Sequence, residues 1–291
     1  MLKEQIPLSP AARADDPDRD AARDDGTHEI APDLAYRRLA IVNVVFYGLP
    51  GAGDRKWVLI DAGLFGTKNL ITSAAEERLG GKPAAIHMTH GHFDHVGVLE
   101  DLAAEWDVPV YAHPREFPYL NGTESYPPPE PEVGGMMALA SPLYPRAPVN
   151  VGDRLRAFPS DGSVPFMPGW RWIETPGHTA GHVSFWRESD RALIVGDAFI
   201  TTRQESAYAA LTQAPELHGP PQYFTPDWAT ARQSVRRLAR LEPDLVVTGH
   251  GRPMRGPEMR SALHRLAAEF DEIAVPKVGR YAHTALEQPR T

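Results

Sequence analysis

The stretch Thr89-His90-Gly91-His92-Phe93-Asp94-His95-Val96-Gly97 packs three imidazoles and a carboxylate into six residues, and no other feature constrains the chain as strongly. Imidazole together with carboxylate suits zinc, iron, manganese or cobalt rather than calcium, which prefers oxygen ligands. Residues 84–88 before it read as a short buried strand, and Val96, Leu99, Leu102, Ala103 and Trp106 after it recur at helical spacing. The motif therefore belongs on a strand-to-helix loop of an α/β protein. A surface cluster of titratable side chains is the competing reading, and further candidate ligands downstream weigh against it.

Residues 39–47 and 57–60 have the β-branched and aromatic content of strands and form a hairpin across a Gly-rich turn. The glycines at 48–53 match neither the dinucleotide nor the Walker pattern. Thr67 is expected to cap a helix with Leu70, Ile71, Ala74 and Leu79 on its apolar face. Residues 108–113 form another strand. Trp170, Trp172 and Ile173 then lead into Thr175-Pro176-Gly177-His178, a strand at 192–195 ends on Gly196-Asp197, and residues 245–248 run into Gly249-His250-Gly251. Thr225-Pro226-Asp227 reads as a helix start with proline at the first helical position. Metal-type ligands thus recur where strands end, the usual way an α/β protein assembles a site on a rigid sheet.

The chain has 291 residues, short enough for one α/β domain, which is the expectation for residues 28–291. Residues 1–27, without an apolar signal core, are expected to form a solvated, mobile leader. Among the 29 prolines many fall in residues 114–168, which also carry Tyr119, Tyr126, Met136, Met137 and Tyr144. A loop of that length reads as a substrate lid, with an ordered insertion as the alternative. The net charge of -8 disfavours nucleic acid and anionic membranes as partners, and no run reaches the length of a membrane span. A cytoplasmic protein acting on a small molecule is the expectation, with room for a homodimer. Absence of Cys removes disulfides, thiolate ligands and thiol nucleophiles together.

His90-x-His92-x-Asp94-His95, followed by His178 in Thr-Pro-Gly-His, Asp197 after a strand and His250 in Gly-His-Gly, resembles the metallo-β-lactamase-fold hydrolase superfamily over residues 41–251. The resemblance implies a four-layer αβ/βα sandwich with two divalent ions, zinc before iron or manganese. One ion would take His90, His92 and His178, the other Asp94, His95 and His250, with Asp197 bridging. Asp61 would orient a ligand imidazole from behind. The implied reaction is attack of a hydroxide, activated by the metal pair, on an ester, lactone or thioester carbonyl, with Asp94 as catalytic proton shuttle.

The same resemblance leaves other branches open, because fold alone does not fix a reaction. An iron-dependent persulfide dioxygenase, a phosphodiesterase and a non-catalytic metal-binding module are the alternatives. Asp197 argues against a true β-lactamase, a class that lacks the bridging aspartate. Residues 252–291 are shorter than the C-terminal domain of glyoxalase II. Quorum-quenching lactonases carry a tyrosine shortly after the bridging aspartate, and this chain has none there. Tyr126, Arg203, Tyr208 and Tyr223 are the candidate substrate contacts. His182 is expected to support the site rather than to bind metal, and His87 to be a core residue. His28, His113, His218, His264 and His283 have no companion ligands nearby in sequence.

Overall fold

The computed structural model describes residues 5–15 and 25–282, so His283 lies outside the described residues. Read as one domain from its sequence, the chain divides into two compact units. One comprises residues 14–126 and 146–172, the other residues up to 13, 127–145 and 173 onward.

The first unit is built on a seven-stranded sheet in the order His28–Ala31, Leu34–Leu39, Val42–Tyr47, Val58–Ile60, Ala85–His87, Val110–Ala112, Leu155–Ala157. The first four strands are antiparallel neighbours, and from Val58–Ile60 onward each pairs in parallel with the next. Parallel neighbours need crossovers. Lys68–Arg78 and Leu99–Trp106 supply two, burying Ile71, Ala74, Leu99, Leu102 and Trp106 with Phe46, Trp57, Ile86 and Val110 in one core. Two expectations shift here. Leu70 is largely exposed, and the Thr67 hydroxyl donates to the Leu64 carbonyl instead of capping an N–H. The strand expected over residues 39–47 begins only at Val42, because Ala40 turns the chain in the left-handed region at φ 58° and Leu39 ends the strand before it.

The second unit holds a five-stranded sheet in the order Met254–Arg255, Leu245–Thr248, Ala192–Gly196, Val183–Arg187, Trp170–Glu174, the last being the strand over which the chain enters the unit. Trp228–Ala239 and Gly256–Ala268 pack Trp228, Val235, Leu238, Met259, Leu263 and Leu266 with Leu193, Val195 and Phe199. Asp227, not Thr225, caps the first of these helices, since its carboxylate accepts the Thr230 N–H at 2.9 Å. Pro226 consequently lies outside the helix.

One sequence expectation about a mobile segment changes. Ile6–Pro7 pairs antiparallel with Glu216–Leu217, and Ile6, Leu8 and Ala12 are buried in the second core, so residues 5–15 are packed rather than a solvated leader. Residues 114–168, read as a lid or an ordered insertion, are divided between the two units. Leu155–Ala157 is an edge strand of the seven-stranded sheet, whereas residues 127–145 pack within the second unit through Glu130 N–H to the Tyr223 carbonyl and Met137 N–H to the Glu205 carbonyl. Apolar and backbone partners hold residues 5–15 down where composition alone suggested mobility.

Candidate metal centre

In the seven-stranded unit the parallel strands Val58–Ile60 and Ala85–His87 end side by side, which brings Asp61 against the start of the loop carrying His90, His92, Asp94 and His95. All five side chains are buried. Asp61 adopts the left-handed conformation at φ 61°, which costs a non-glycine residue about 1–2 kcal/mol. Three hydrogen bonds offset that cost. Its carboxylate accepts the Thr89 N–H at 2.8 Å, the Thr89 hydroxyl at 2.7 Å and His95 Nδ1 at 2.8 Å.

This arrangement decides the imidazole tautomers. His95 donates from Nδ1 to a carboxylate, so Nε2 carries its lone pair. The Thr89 hydroxyl gives its proton to Asp61 and therefore accepts from His90 Nδ1 at 3.0 Å, which leaves Nε2 of His90 as a lone-pair donor too. Outer hydrogen bonds of this kind fix ring orientation and basicity in metal-binding histidines.

Behind the same loop the Gly91 N–H meets Glu116 Oε2 at 3.0 Å and the Tyr126 hydroxyl oxygen at 2.9 Å, and the Tyr126 hydroxyl donates to Glu116 in a short contact. Burial first, and the Glu116 carboxylate second, push the Tyr126 hydroxyl well above its ordinary value, so it stays protonated and donating. The Tyr126 ring lies 4.4 Å from that of His92 and stacks 3.8 Å from Tyr119.

In the second unit the candidate ligands come from three strand ends instead of one loop. His178 follows Trp170–Glu174, Asp197 follows Ala192–Gly196, and His250 follows Leu245–Thr248, which runs parallel to Ala192–Gly196. All three are 2% exposed. The Thr225 hydroxyl donates to the Pro221 carbonyl at 2.7 Å, so it accepts from His178 Nδ1 at 3.0 Å, which puts the lone pair on Nε2. Nε2 of His178 and of His250 lie 3.5 and 3.0 Å from Asp197 Oδ2. On His178 this sets an imidazole lone pair 3.5 Å from a carboxylate oxygen, which is repulsive unless a cation lies between them, so this donor set fits a metal ion. Gly177, at φ 127°, has no room for a side chain, since a Cβ would sit 2.3 Å from the Ala231 nitrogen.

His182 supports the site as expected. Its Nε2 accepts the Asp197 N–H at 2.8 Å while Nδ1 meets the Thr175 hydroxyl at 2.8 Å, which continues to Ser184 and the Val195 carbonyl. Both ring nitrogens are thereby used within the protein. His87 is a core residue between Tyr111 and Phe158, and burial pushes it down to about 3, so it is neutral.

The substrate contacts fare differently. Arg203 is held by Glu216 at 2.7 Å, Tyr208 is 76% exposed on Ala207–Thr212, and Tyr126 faces the ligand loop's backbone. Tyr223 is buried against Tyr144 and Phe224. Sequence reasoning missed Glu116, a lone acid in a Pro-rich segment, and the role of Thr225, whose setting imitates a helix start. His28, His113, His218 and His264 belong to none of the groups of His and Asp donors that could hold a metal, which do include all seven expected ligands.

The model of the metallo-β-lactamase superfamily matches residues 37–250, and the chain belongs to that family. It is 48% identical over 236 residues to the probable metallo-hydrolase YflN of Bacillus subtilis, covering 80% of this chain and 89% of that one. It is 25% identical over 177 residues to a hydroxyacylglutathione hydrolase of Bdellovibrio bacteriovorus, covering 57% and 58%. A β-lactamase domain protein from Burkholderia ambifaria superposes with a TM-score of 0.60 at 23% identity over 89% of this chain and 80% of that one, a likeness of fold. The chain is thus a metallo-hydrolase of the α/β metallo-β-lactamase fold. Among the described residues no helix is long and apolar enough to cross a membrane.

Proposed function

We propose that this metallo-hydrolase holds two divalent ions, zinc in the first instance, and hydrolyses an ester, lactone or thioester of a small molecule. His90, His92 and His178 would hold one ion, Asp94, His95 and His250 the other, with Asp197 shared. The observation that supports this reading is the common tautomer of His90, His95 and His178, whose Nδ1 positions are all engaged so that Nε2 carries the lone pair. When bound, such a pair supplies Lewis acidity and brings water toward a pKa of about 7.

The protein's own residues do the rest. Asp94, a buried carboxylate, would take up a proton from the attacking water and return it to the leaving oxygen or sulfur. Asp197 is held at its N–H by His182, and a carboxylate shared by two cations reduces their mutual repulsion. Acyl chemistry draws support from the relative named hydroxyacylglutathione hydrolase.

Metal analysis after purification without chelators is expected to give two equivalents, and Asp197→Ala to lose at least one. A stable single equivalent in the unsubstituted protein overturns the two-ion reading. Aryl esters, lactones, thioesters and phosphodiesters assayed side by side should show carbonyl turnover. Phosphodiester turnover alone, or oxygen uptake with glutathione persulfide, assigns the chain to another reaction.

A further inference from the structure

Nothing in the metal reading uses Glu116, a fully buried carboxylate, although it lies within hydrogen-bond reach of the loop that carries the ligands. The Gly91 N–H sits between His90 and His92 in sequence and meets both the Glu116 carboxylate and the Tyr126 hydroxyl, which themselves bond to each other. The result is a closed triangle of one amide, one phenol and one carboxylate. Tyr126 also presses its ring against His92, so the triangle reaches the ligand by two routes, through backbone and through ring contact.

We propose that Glu116 and Tyr126 are positioning residues that set His92, and through the Gly91 amide the spacing of His90 and His92, for metal binding. The identity of residue 91 follows from this. A Cβ at Gly91 would come 2.8 Å from the Tyr126 hydroxyl oxygen and 3.3 Å from Leu120, with no unusual φ to forbid alanine. The hydroxyl is the main obstacle. Glycine is therefore required in His90-x-His92 because a phenol occupies the space its side chain would need, not because the loop needs glycine's backbone freedom.

The buried carboxylate has a physical reason to be there. An amide N–H in a dry interior must be satisfied, and a charged acceptor makes the stronger and more directional bond. A water or a neutral acceptor would hold the amide less firmly and leave His92 more orientational freedom. Removing outer hydrogen bonds around metal histidines typically weakens binding or activity about 10–100-fold.

The inference rests on His90 and His92 being metal ligands, so the test reads metal retention directly. Tyr126→Phe, Glu116→Gln, Gly91→Ala and the double variant Gly91→Ala with Tyr126→Phe are loaded with zinc and titrated with a chelator. Tyr126→Phe and Glu116→Gln are expected to release metal about 10–100-fold more readily, with near-unchanged thermal unfolding of the metal-free forms and with kcat falling more than KM rises. Gly91→Ala should be worse than Tyr126→Phe, and the double variant should bind better than Gly91→Ala alone, because the obstructing oxygen is gone. Unchanged chelator resistance in Tyr126→Phe and Glu116→Gln, or a double variant no better than Gly91→Ala, overturns the proposal. An unsubstituted protein that binds no zinc overturns the metal reading instead.

Discussion

The two ligand clusters are braced on opposite plans. In the seven-stranded unit one carboxylate, Asp61, serves several donors at once: the Thr89 amide, the Thr89 hydroxyl that holds His90, and His95 itself. In the second unit each ligand has its own support, Thr225 for His178, His182 for the Asp197 amide, and Thr248 and Thr201 for the His250 carbonyl. The difference follows from topology. Four candidate ligands on one loop can share a hub, whereas candidates from three strand ends cannot. A hub makes a site precise but brittle, and separate supports make it tolerant of single losses.

Asp61→Ala should therefore have the largest effect. It strands three buried donors and places alanine in the left-handed region, for an expected loss of about 3–5 kcal/mol in urea unfolding of the metal-free protein. A loss below about 1 kcal/mol would show that the donors find other acceptors and that Asp61 is no hub.

Acid should tell the units apart next. His87 titrates at about 3 in the fold against 6.5 when unfolded. Its native pKa is the lower one, so its contribution is intact above pH 6.5 and is lost as pH falls from 6.5 toward 3, at up to about 1.4 kcal/mol per pH unit. His87→Phe should flatten that slope for the metal-free protein. Hydrogen exchange at pH 5 should then report slower opening of the seven-stranded unit in the variant, and an unchanged slope would refute the assignment.

Thr225→Val should cost less, about 1–2 kcal/mol, with about tenfold weaker metal retention, because it unties one ligand only. The smallest effect sharpens the comparison most. Thr225→Val and Thr175→Val belong to separate networks and should add within about 0.5 kcal/mol, whereas Asp61→Asn and Thr89→Ala share a hub and should not. Urea midpoints of the four single and two double variants settle this, and equal coupling in both pairs would dissolve the distinction.

The same contrast explains what could be read from the sequence. His90, His92, Asp94 and His95 were legible because their ligand density is local, and the strand before and helix after them obey plain periodicity. His178, Asp197 and His250 were legible singly, as metal-type side chains where strands end, but only the resemblance grouped them, since the last lies 72 positions beyond the first. The supports were harder. Asp61 was inferred from its place after a strand, but Glu116 has no local signal and Thr225 imitates a cap. The hairpin His28–Ala31 to Leu34–Leu39 went unread because it mixes charged residues into its strands. The division into two units was invisible because it depends on where residues 127–145 pack, a long-range choice that proline content does not encode.

The pairing of Ile6–Pro7 with Glu216–Leu217 has a consequence for the order in which the protein is made. The Gln5 amide bonds Glu216, 211 residues later in the chain. Ile6, Leu8 and Ala12 emerge from the ribosome before any residue of the core they finally enter, at roughly 5–20 residues per second. For about ten seconds or more these apolar side chains have no native partner, while the seven-stranded unit can already gather its strands. A chain released early would present them to chaperones as its first unburied surface.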